Sequence, residues 1–335
     1  VVWYTFDMQE KIIKAFLNDD VKNVVSGTPN HIETVISNVF VKSDLVYKIY
    51  KSGSHFFNEN FYNLSSKKNR HQFTKDDFNW NNALSPEVYL RLHGLSLDNK
   101  SVTLTDSTEK AEELVIVMNK LDMNQGVFMR LMRSDLSQDD YYQIGYQLAE
   151  REKRLSPSTL ERQNLYDDFN TRYEDIKNWL AQAEKYMPLK ERETYLAVLK
   201  SFINENEEEL KASDKYIGIG IDFHAENAVY DNDILLPIDT YPPKPEWRAG
   251  HRHINIYRIA TDALSLDKEE SFRSVLTGYE DVNKEKLNPK HEHFFVTYAA
   301  CIMVPYFYML GEKDDLRKKA AVKSHNFLKD YHSIK

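Results

Sequence analysis

Two hydrophobic patterns divide this chain of 335 residues near residue 120. Before that point, short runs of Val, Ile, Leu and Tyr alternate with turn residues, a pattern typical of β-strands. From about residue 137, apolar residues recur three and four positions apart with charges between them, which is typical of helices. A chain of this length can bury more than one core. We therefore predict an α+β fold with a β-rich lobe in residues 1–120 and a mainly helical lobe in residues 121–335.

The β-rich lobe is predicted to begin with an antiparallel meander of three short strands. These strands are predicted at 31–36, 37–41 and 45–50. Lys48 lies in the middle of the third strand. It is either a lysine on a solvated sheet face, which is the usual position for this residue type, or a cation that points into a cleft to meet phosphate.

A helix is predicted over residues 57–84, and Ser85-Pro86 ends it because the residue before a proline avoids helical geometry. Asp76 and Asp77 lie on this helix, either as a solvated pair or with one carboxylate reaching the lysine of the third strand. Further strands are predicted at 88–92, 101–104 and 114–118. The last strand leads directly into polar residues, which predicts a linker between the lobes near 117–122.

The second lobe is predicted to be helical apart from one hairpin. Its helices are predicted at 139–154, 158–186, 189–211, 254–266, 269–277 and 293–310. The longest apolar run, 299–310, is too short to span a bilayer, which takes about 20 residues. It predicts a buried core helix instead.

Charge and cysteine content limit the partners and the compartment. The net charge of −8 gives no electrostatic footprint for nucleic acid or an anionic membrane. The single cysteine, Cys301, excludes an intrachain disulfide and lies in an apolar run, where a buried thiol is expected. The first residues lack the basic region and apolar core of a secretion signal. The expected location is therefore the cytoplasm.

Three oxygen-bearing side chains, Asp222, Asn227 and Asp239, lie at the ends of short apolar runs in IGIGIDFHAENAVYDNDILLPID, residues 217–239. Two of the runs flank the cluster Asp231-Asn232-Asp233, which predicts a β-hairpin. Polar residues at strand ends are held rigidly at the edge of a sheet. A metal-phosphate site could be built at that edge.

The hairpin geometry predicts how two of these side chains could share a metal ion. If the turn centres on Asn232, Asn227 lies opposite Pro237, and Asp239 falls on the same face by the two-residue period. Such a diagonal pair is about 7–8 Å apart at the backbone. One hydrated Mg²⁺ could bridge the two side chains and keep positions open for phosphate oxygens.

The order of these features resembles the protein-kinase-like fold, and more specifically the aminoglycoside phosphotransferase-like small-molecule kinases. The segments that carry the resemblance are HIETVISNVFVKSDLVYKIYK at 31–51, LSPEVYL at 84–90 and IDFHAENAVYDNDILLPID at 221–239. It extends from about residue 8 to about residue 310. The resemblance implies a bilobal fold and an ATP- and Mg²⁺-dependent transfer of phosphate to a hydroxyl of a small molecule.

The resemblance also implies a role for each polar residue. Asp222 would be the catalytic Asp that orients the acceptor hydroxyl and takes its proton. Asn227 and Asp239 would hold the Mg²⁺ ions that bridge the ATP phosphates. Lys48 would contact the α- and β-phosphates, and Asp77 would be its helix carboxylate, with the neighbouring aspartate as the alternative.

Two backbone segments would complete the nucleotide site. The turn 34–38 lacks the glycines of protein kinases, so its backbone amides and the Ser37 hydroxyl would cover the nucleotide. Val117 to Asn119 would offer backbone groups to adenine.

The sequence departs from the family pattern at Gly220, which stands where the family has the histidine of its His-x-Asp motif. That histidine braces the catalytic loop, so another residue such as His224 would have to compensate. Two alternatives therefore stay open: an ATP-binding pseudokinase that acts as an interaction module, and a kinase whose acceptor is a protein. Asp262 either braces the loop or lies on a helix surface.

Two His-x-His pairs are present, His251 with His253 and His291 with His293. The spacing can serve a metal site when a third ligand is near. No third ligand is indicated by the spacing, so these histidines are predicted to be solvated or to cap helices.

Overall fold

A computed structural model describes residues 2–98, 101–155, 164–212 and 217–333. The chain forms two compact units, one comprising Val1–Asp122 and Leu236–Lys244, the other Met123–Leu235 and Pro245–Lys335. Most strands belong to the first unit and most helices to the second, which confirms the predicted α+β class. A division at residue 120 would leave Leu236–Lys244 with the helical half, whereas side-chain contacts described below tie it to the first unit.

The first unit is built on a seven-stranded sheet. Its elements are α1 (Val2–Leu17), β1 (Val21–Lys22), β2 (Asn30–Glu33), β3 (Ser37–Lys42), β4 (Leu45–Tyr50), α2 (His55–Asn60), α3 (Lys67–Leu84), β5 (Tyr89–Leu97), β6 (Val102–Thr105) and β7 (Glu113–Asn119). The strand order is β1-β6-β5-β7-β4-β3-β2. The predicted meander is confirmed, since β2, β3 and β4 pair antiparallel in sequence. The predicted helix consists of two, α2 and α3, and the second ends directly before Ser85-Pro86 as expected.

Side chains of β4 alternate between the two faces of the sheet. Tyr47 lies on the face that α1 covers, where Phe16 stacks on Phe40 with ring centroids 4.6 Å apart. Tyr50 lies on the opposite face, where its ring meets that of Phe73 from α3 at 5.1 Å. Lys48 shares the face of Tyr50, so the strand period directs its side chain towards α3.

The second unit is mainly helical. Its elements are α4 (Val127–Arg133), α5 (Gln138–Glu152), α6 (Leu165–Gln182), α7 (Leu189–Glu205), α8 (Glu207–Ala212), β8 (Ile217–Ile219), β9 (Ala228–Asp231), β10 (Ile234–Pro237), β11 (Ala249–His251), α9 (Ile254–Leu266), α10 (Glu269–Asn283), α11 (Pro289–Gly311) and α12 (Asp315–Tyr331). Unit boundaries fall inside β10. The predicted helices are confirmed within these bounds, except that the helix predicted at 189–211 is divided into α7 and α8 at Asn206. Residues 158–163 of one prediction lie outside the described residues.

The predicted hairpin is confirmed, because β9 and β10 pair as a two-stranded sheet. Its turn has two residues, Asn232 and Asp233, with φ of 48° and 61°. This left-handed pair is typical of a type I′ turn. The turn therefore centres between these residues rather than on Asn232, and the pairing expected from that centre is wrong by one residue. Asp239 lies beyond β10 with φ of 53°, so strand alternation cannot place its side chain.

Helix α11 contains the predicted core helix and is longer than the apolar run indicated. Among the described residues it is the one helix long and apolar enough to cross a membrane, yet 78% of its most apolar window is buried inside the protein. Cys301 lies in it and is fully buried, as predicted, and burial raises the pKa of its thiol. These features are those of a core helix.

Candidate active site

Lys48 is buried against two carboxylates of the first unit. Its Nζ atom lies 2.6 Å from Oδ1 of Asp239 and 3.9 Å from Oδ2 of Asp77. Only 4% of the residue is exposed, so the interpretation as a lysine on a solvated face is wrong. Asp77 is also buried, whereas Asp76 is partly exposed and accepts a hydrogen bond from Gln72. The structure therefore brings three of the predicted site residues together.

The charges of this cluster shift one another's ionisation. Burial works against the ammonium of Lys48, but the charges of Asp239 and Asp77 outweigh it and raise the lysine pKa. Partial desolvation opposes ionisation of Asp239, yet the lysine and the hydroxyl of Tyr89 lower its pKa. Burial raises the pKa of Asp77 to about 6, with Lys48 opposing and Asp239 adding to the rise. At neutral pH the cluster carries one cation and two anions.

Tyr89 and Asn81 hold the segment that carries Asp239 in place. The Tyr89 hydroxyl accepts from the backbone N–H of Asp239 at 2.8 Å and donates to its Oδ1 at 3.2 Å. Asn81 donates to Oδ1 of Asp77 at 3.0 Å and accepts from the backbone N–H of Thr240 at 2.9 Å. Neither residue was predicted, because their contacts with the segment after β10 join positions about 150 residues apart. These bonds explain why Leu236–Lys244 belongs to the first unit.

The sheet face that carries Lys48 also presents a strip of half-buried apolar side chains. Val39 lies opposite Lys48, and Val46 lies opposite Met118. All three apolar residues are partly exposed. On an apolar strip beside a buried cation, the flat base of a nucleotide can pack against the apolar side chains while the phosphates of the nucleotide contact the cation.

The other predicted nucleotide residues lie within the same sheet. The Ser37 hydroxyl is hydrogen bonded to the Thr34 hydroxyl at 2.8 Å, so it forms part of the closed turn before β3. Val117 lies between Tyr47 of β4 and Arg91 of β5. The Asn119 backbone N–H donates to the Val88 carbonyl at 2.8 Å. Their roles towards a nucleotide stay predictions, and the Asn119 amide already has a partner.

In the second unit, hydrogen bonds fix the loop that carries Asp222 and Asn227. The Asn227 amide nitrogen donates to the Asp222 carbonyl oxygen at 2.9 Å. Oδ2 of Asp262 accepts from the backbone N–H of Ala225 at 2.6 Å. Burial raises the pKa of Asp262, while His224 and that backbone N–H oppose the shift. Asp262 therefore braces the loop, which confirms one of its two interpretations.

Asn255 clamps the backbone on both sides of Gly220. Its side chain accepts from the Ile221 N–H at 2.8 Å and donates to the Ile219 carbonyl at 2.9 Å. The Asn255 side-chain amide also donates to Oε1 of Glu152 at 2.8 Å, which fixes its orientation. Within the described residues the His224 side chain makes no hydrogen bond. Asn255 on α9 therefore braces the loop, and His224, the residue expected to compensate for the missing histidine, does not.

Gly220 is packed too tightly to be any other residue. A Cβ atom built there would overlap the carbonyl oxygen of Trp247. The Gly220 backbone N–H donates to the Arg248 carbonyl at 3.0 Å, which holds the two segments at this separation. A histidine cannot occupy this position unless the backbone moves.

The prediction of solvated or capping histidines is wrong for His251 and His291, whereas His253 occupies the N-cap position of α9 without a hydrogen bond from its side chain to the helix. His251, His253 and His291 are buried, and Nε2 of His251 lies 3.2 Å from Nδ1 of His291. Burial holds the pKa of His251 well below its usual range. The described residues contain no group of three or more His, Cys, Asp or Glu side chains that could hold a metal ion. We assign these histidines to the core.

Replacing Asp77 with asparagine is expected to stabilise the protein at pH 7. Because the pKa is raised from 3.8 to about 6, folding favours the protonated carboxyl. The ionised form therefore costs up to about 3 kcal/mol, at about 1.4 kcal/mol per pKa unit. The penalty is present above about pH 6, shrinks as the pH falls towards 3.8 and vanishes below it. Urea unfolding of both proteins across this pH range measures the difference.

Asp76→Asn is the matched control, since it removes a partly exposed carboxylate one residue away. We expect its free energy of unfolding to differ little from that of the wild type at every pH. A difference between wild type and Asp77→Asn that grows towards low pH would contradict the assignment.

The fold is protein-kinase-like. The chain is similar to a choline kinase from Cryptosporidium parvum, with a TM-score of 0.54 and 9% identity, covering 97% of this chain and 96% of that one. A choline/ethanolamine kinase family protein from Mesorhizobium loti gives a TM-score of 0.51 and 11% identity, with coverage of 97% and 94%. An aminoglycoside phosphotransferase solved with AMP-PNP and hygromycin B gives 0.51 and 11%, with coverage of 95% and 97%.

No protein-family model matches the chain, and no curated protein matches its sequence. At identities this low the structural similarity establishes the fold alone. The resemblance drawn from the sequence is confirmed at that level.

Proposed function

We propose that the protein is an ATP- and Mg²⁺-dependent phosphotransferase that moves the γ-phosphate to a hydroxyl of a small-molecule acceptor. The observation that carries the proposal is the buried cluster of Lys48 with Asp239 and Asp77. Burying a lysine with two carboxylates costs folding free energy, and buried ionisable clusters of this kind are concentrated at functional sites. The solved structures that share the fold include proteins named as choline kinase and aminoglycoside phosphotransferase, which supports a small-molecule acceptor.

Residues of the first unit would bind the nucleotide. Lys48 would meet the α- and β-phosphates, and Asp77 would hold the ammonium towards them. The adenine would pack on the strip formed by Val39, Val46 and Met118. Ser37 and the backbone of residues 117–119 stay as predicted contacts at the edges of this surface.

The residues proposed for Mg²⁺ have the right chemistry. The side chain of Asp239 is 53% exposed although its Oδ1 atom is bound to Lys48. The Asn227 nitrogen is used towards Asp222, so the ligand atom this amide would offer is its oxygen. Carboxylate and amide oxygens suit Mg²⁺, which takes further ligands from phosphates and water. When bound, the ion would neutralise charge that develops on the transferred phosphate.

Asp222 would act on the acceptor. Its carboxylate would orient the hydroxyl and take the proton as the new oxygen–phosphorus bond forms and the bond to the β-phosphate oxygen breaks. Phosphoryl transfer has a loose transition state, so positioning and charge neutralisation supply most of the catalysis. The loop that carries Asp222 is fixed by Asn255 and Asp262, as positioning requires.

Replacing Lys48 with methionine is expected to weaken MgATP binding about tenfold to a hundredfold. A hydrogen bond between charged groups contributes about 1.5–3 kcal/mol, and about 1.4 kcal/mol corresponds to a factor of ten. Calorimetric titration of ATP in the presence of Mg²⁺ measures the change.

Lys42→Met is the matched control, because Lys42 is a second buried strand lysine of the same unit, and Asp19 pairs with it. We expect this variant to lose stability and to bind ATP as tightly as the wild type wherever it is folded. Equal losses of affinity in both variants would count against the proposed nucleotide site. The predicted cytoplasmic location and the expected lack of nucleic-acid and membrane partners stay predictions from composition.

A further inference from the structure

We propose that Arg258 selects an acceptor with a carboxylate or phosphate group beside the hydroxyl that is phosphorylated. This inference rests on the proposed function, since it concerns the acceptor of that same reaction. Arg258 lies on α9, and its Nη2 atom is 3.8 Å from Oδ1 of Asp222. The guanidinium therefore faces the carboxylate that would receive the acceptor hydroxyl.

The hydrogen-bonding capacity of Arg258 is unused. A guanidinium has five N–H donors, yet within the described part of the chain the Arg258 side chain makes no hydrogen bond. Its contact with Asp222 is longer than a hydrogen bond, and its side chain is 19% exposed. A cation mostly covered by protein, with donors still available, is suited to a ligand that supplies oxygen atoms.

Bracing of the loop does not account for Arg258. The residue lies between Asn255 and Asp262 on one face of α9, at a spacing of three and four residues. Those two neighbours already hold the loop through backbone hydrogen bonds of 2.6–2.9 Å. Arg258 adds none, so its side chain is directed at the carboxylate of Asp222 and not at the loop backbone.

Nearby acidic side chains have other partners. Glu226 belongs to the same loop, and its Oε1 accepts from Nε of Arg317 on α12 at 2.8 Å. Asp262 is buried and accepts from a backbone N–H, and the charge of Arg258 also opposes the rise in its pKa. Within the described ranges, the ion pair of Asp222 is the one with Arg258, at 3.8 Å.

This arrangement favours an anionic acceptor. Asp222 alone would repel a carboxylate or phosphate brought next to it, and Arg258 offsets that repulsion. The planar guanidinium matches either anion through two parallel hydrogen bonds. A cationic acceptor would be repelled by Arg258. In the reaction the acceptor oxygen bonds to the γ-phosphorus, ADP leaves, and the hydroxyl proton passes to Asp222, while the anionic group of the acceptor is unchanged.

The test uses sets of polyols that differ in the charge of one group, such as gluconate, sorbitol and glucamine, or glycerate, glycerol and serinol. ATP consumption with each compound gives kcat/KM. We expect the anionic member of at least one set to be preferred by the wild-type protein. Arg258→Gln should reduce that preference at least tenfold through KM, Arg258→Lys should restore part of it, and Arg258→Glu should shift it towards the amine.

Arg91→Gln is the matched control, because Arg91 is an exposed arginine of the first unit. We expect it to leave the preference unchanged. Equal loss on all members of a set would show that Arg258 only positions Asp222 and would overturn the inference. The inference would also be overturned if only neutral or cationic members were phosphorylated. It would equally be overturned if no anionic member increased ATP consumption. If Arg258→Glu does not fold, the glutamine and lysine variants decide. Failure of the wild type to bind or consume ATP would instead remove the proposed function.

Discussion

Replacement of Asp222 with asparagine is expected to lower kcat for ATP-dependent phosphate transfer by about 10²–10⁴-fold, the usual contribution of a positioned general base. The amide can still orient a hydroxyl but cannot take its proton. The loop should keep its shape, because the Asn227 bond goes to the backbone carbonyl of Asp222 and not to the carboxylate. Binding of MgATP should therefore change little. Steady-state kinetics and calorimetry on the same preparation separate the two effects.

Asp233→Asn is the matched control for this variant. Asp233 is an exposed aspartate of the hairpin turn with φ of 61°, a conformation that asparagine adopts readily. We expect its kcat to match that of the wild type. A kcat for Asp222→Asn within a few-fold of the wild type would exclude Asp222 as the base.

Restoring the family histidine at position 220 is expected to damage the protein. Any side chain at Gly220 overlaps the backbone of Trp247, and backbone cannot give way as a side chain can. Overpacking of this kind costs about 1–3 kcal/mol and sometimes more. Gly220→His and Gly220→Ala should therefore both lower the unfolding temperature by several degrees and displace the loop that carries Asp222.

This prediction separates two views of the missing histidine. If its absence marks an impaired kinase, restoring it should raise activity. If Asn255 has replaced it, as its two bonds around Gly220 indicate, activity should fall. Gly126→Ala is the control of smaller overlap, because a Cβ there would lie 3.1 Å from the Met123 carbonyl oxygen, a tight contact that a shift of a few tenths of an ångström relieves. A stable Gly220→His variant with higher activity would contradict the structure of the loop.

Local patterns were sufficient for six of the seven strands of the sheet and for part of the site, whereas β1 and the strand order were not predicted. The alternation of β4 and the position of Lys48 in it follow from a two-residue period, and Ser85-Pro86 marks the end of α3. The choice between Asp76 and Asp77 could not be made from the sequence, because only packing of α3 on the sheet decides which side chain is buried. The same packing decides that Lys48 is enclosed.

Contacts between distant segments could not be predicted. Tyr89 and Asn81 contact the segment after β10, which lies about 150 residues further along the chain, and hydrophobic periodicity predicts only contacts between nearby residues. The brace by Asn255 has a weak signal in the sequence, since Asn255, Arg258 and Asp262 share one face of an otherwise apolar helix. A polar stripe on a helix that is otherwise apolar indicates that this face meets polar groups, here the backbone of the loop that carries Asp222.

The most direct test of the central claim follows the γ-phosphate of ATP. Wild-type protein is incubated with ATP labelled at that position and a metabolite extract, with and without Mg²⁺, and the products are separated by size. We predict that the label enters a small organic phosphate ester only when Mg²⁺ is present, and that Asp222→Asn slows this transfer by about 10²–10⁴-fold. Label that enters protein instead, or that stays on ATP in the presence of Mg²⁺, would contradict the account.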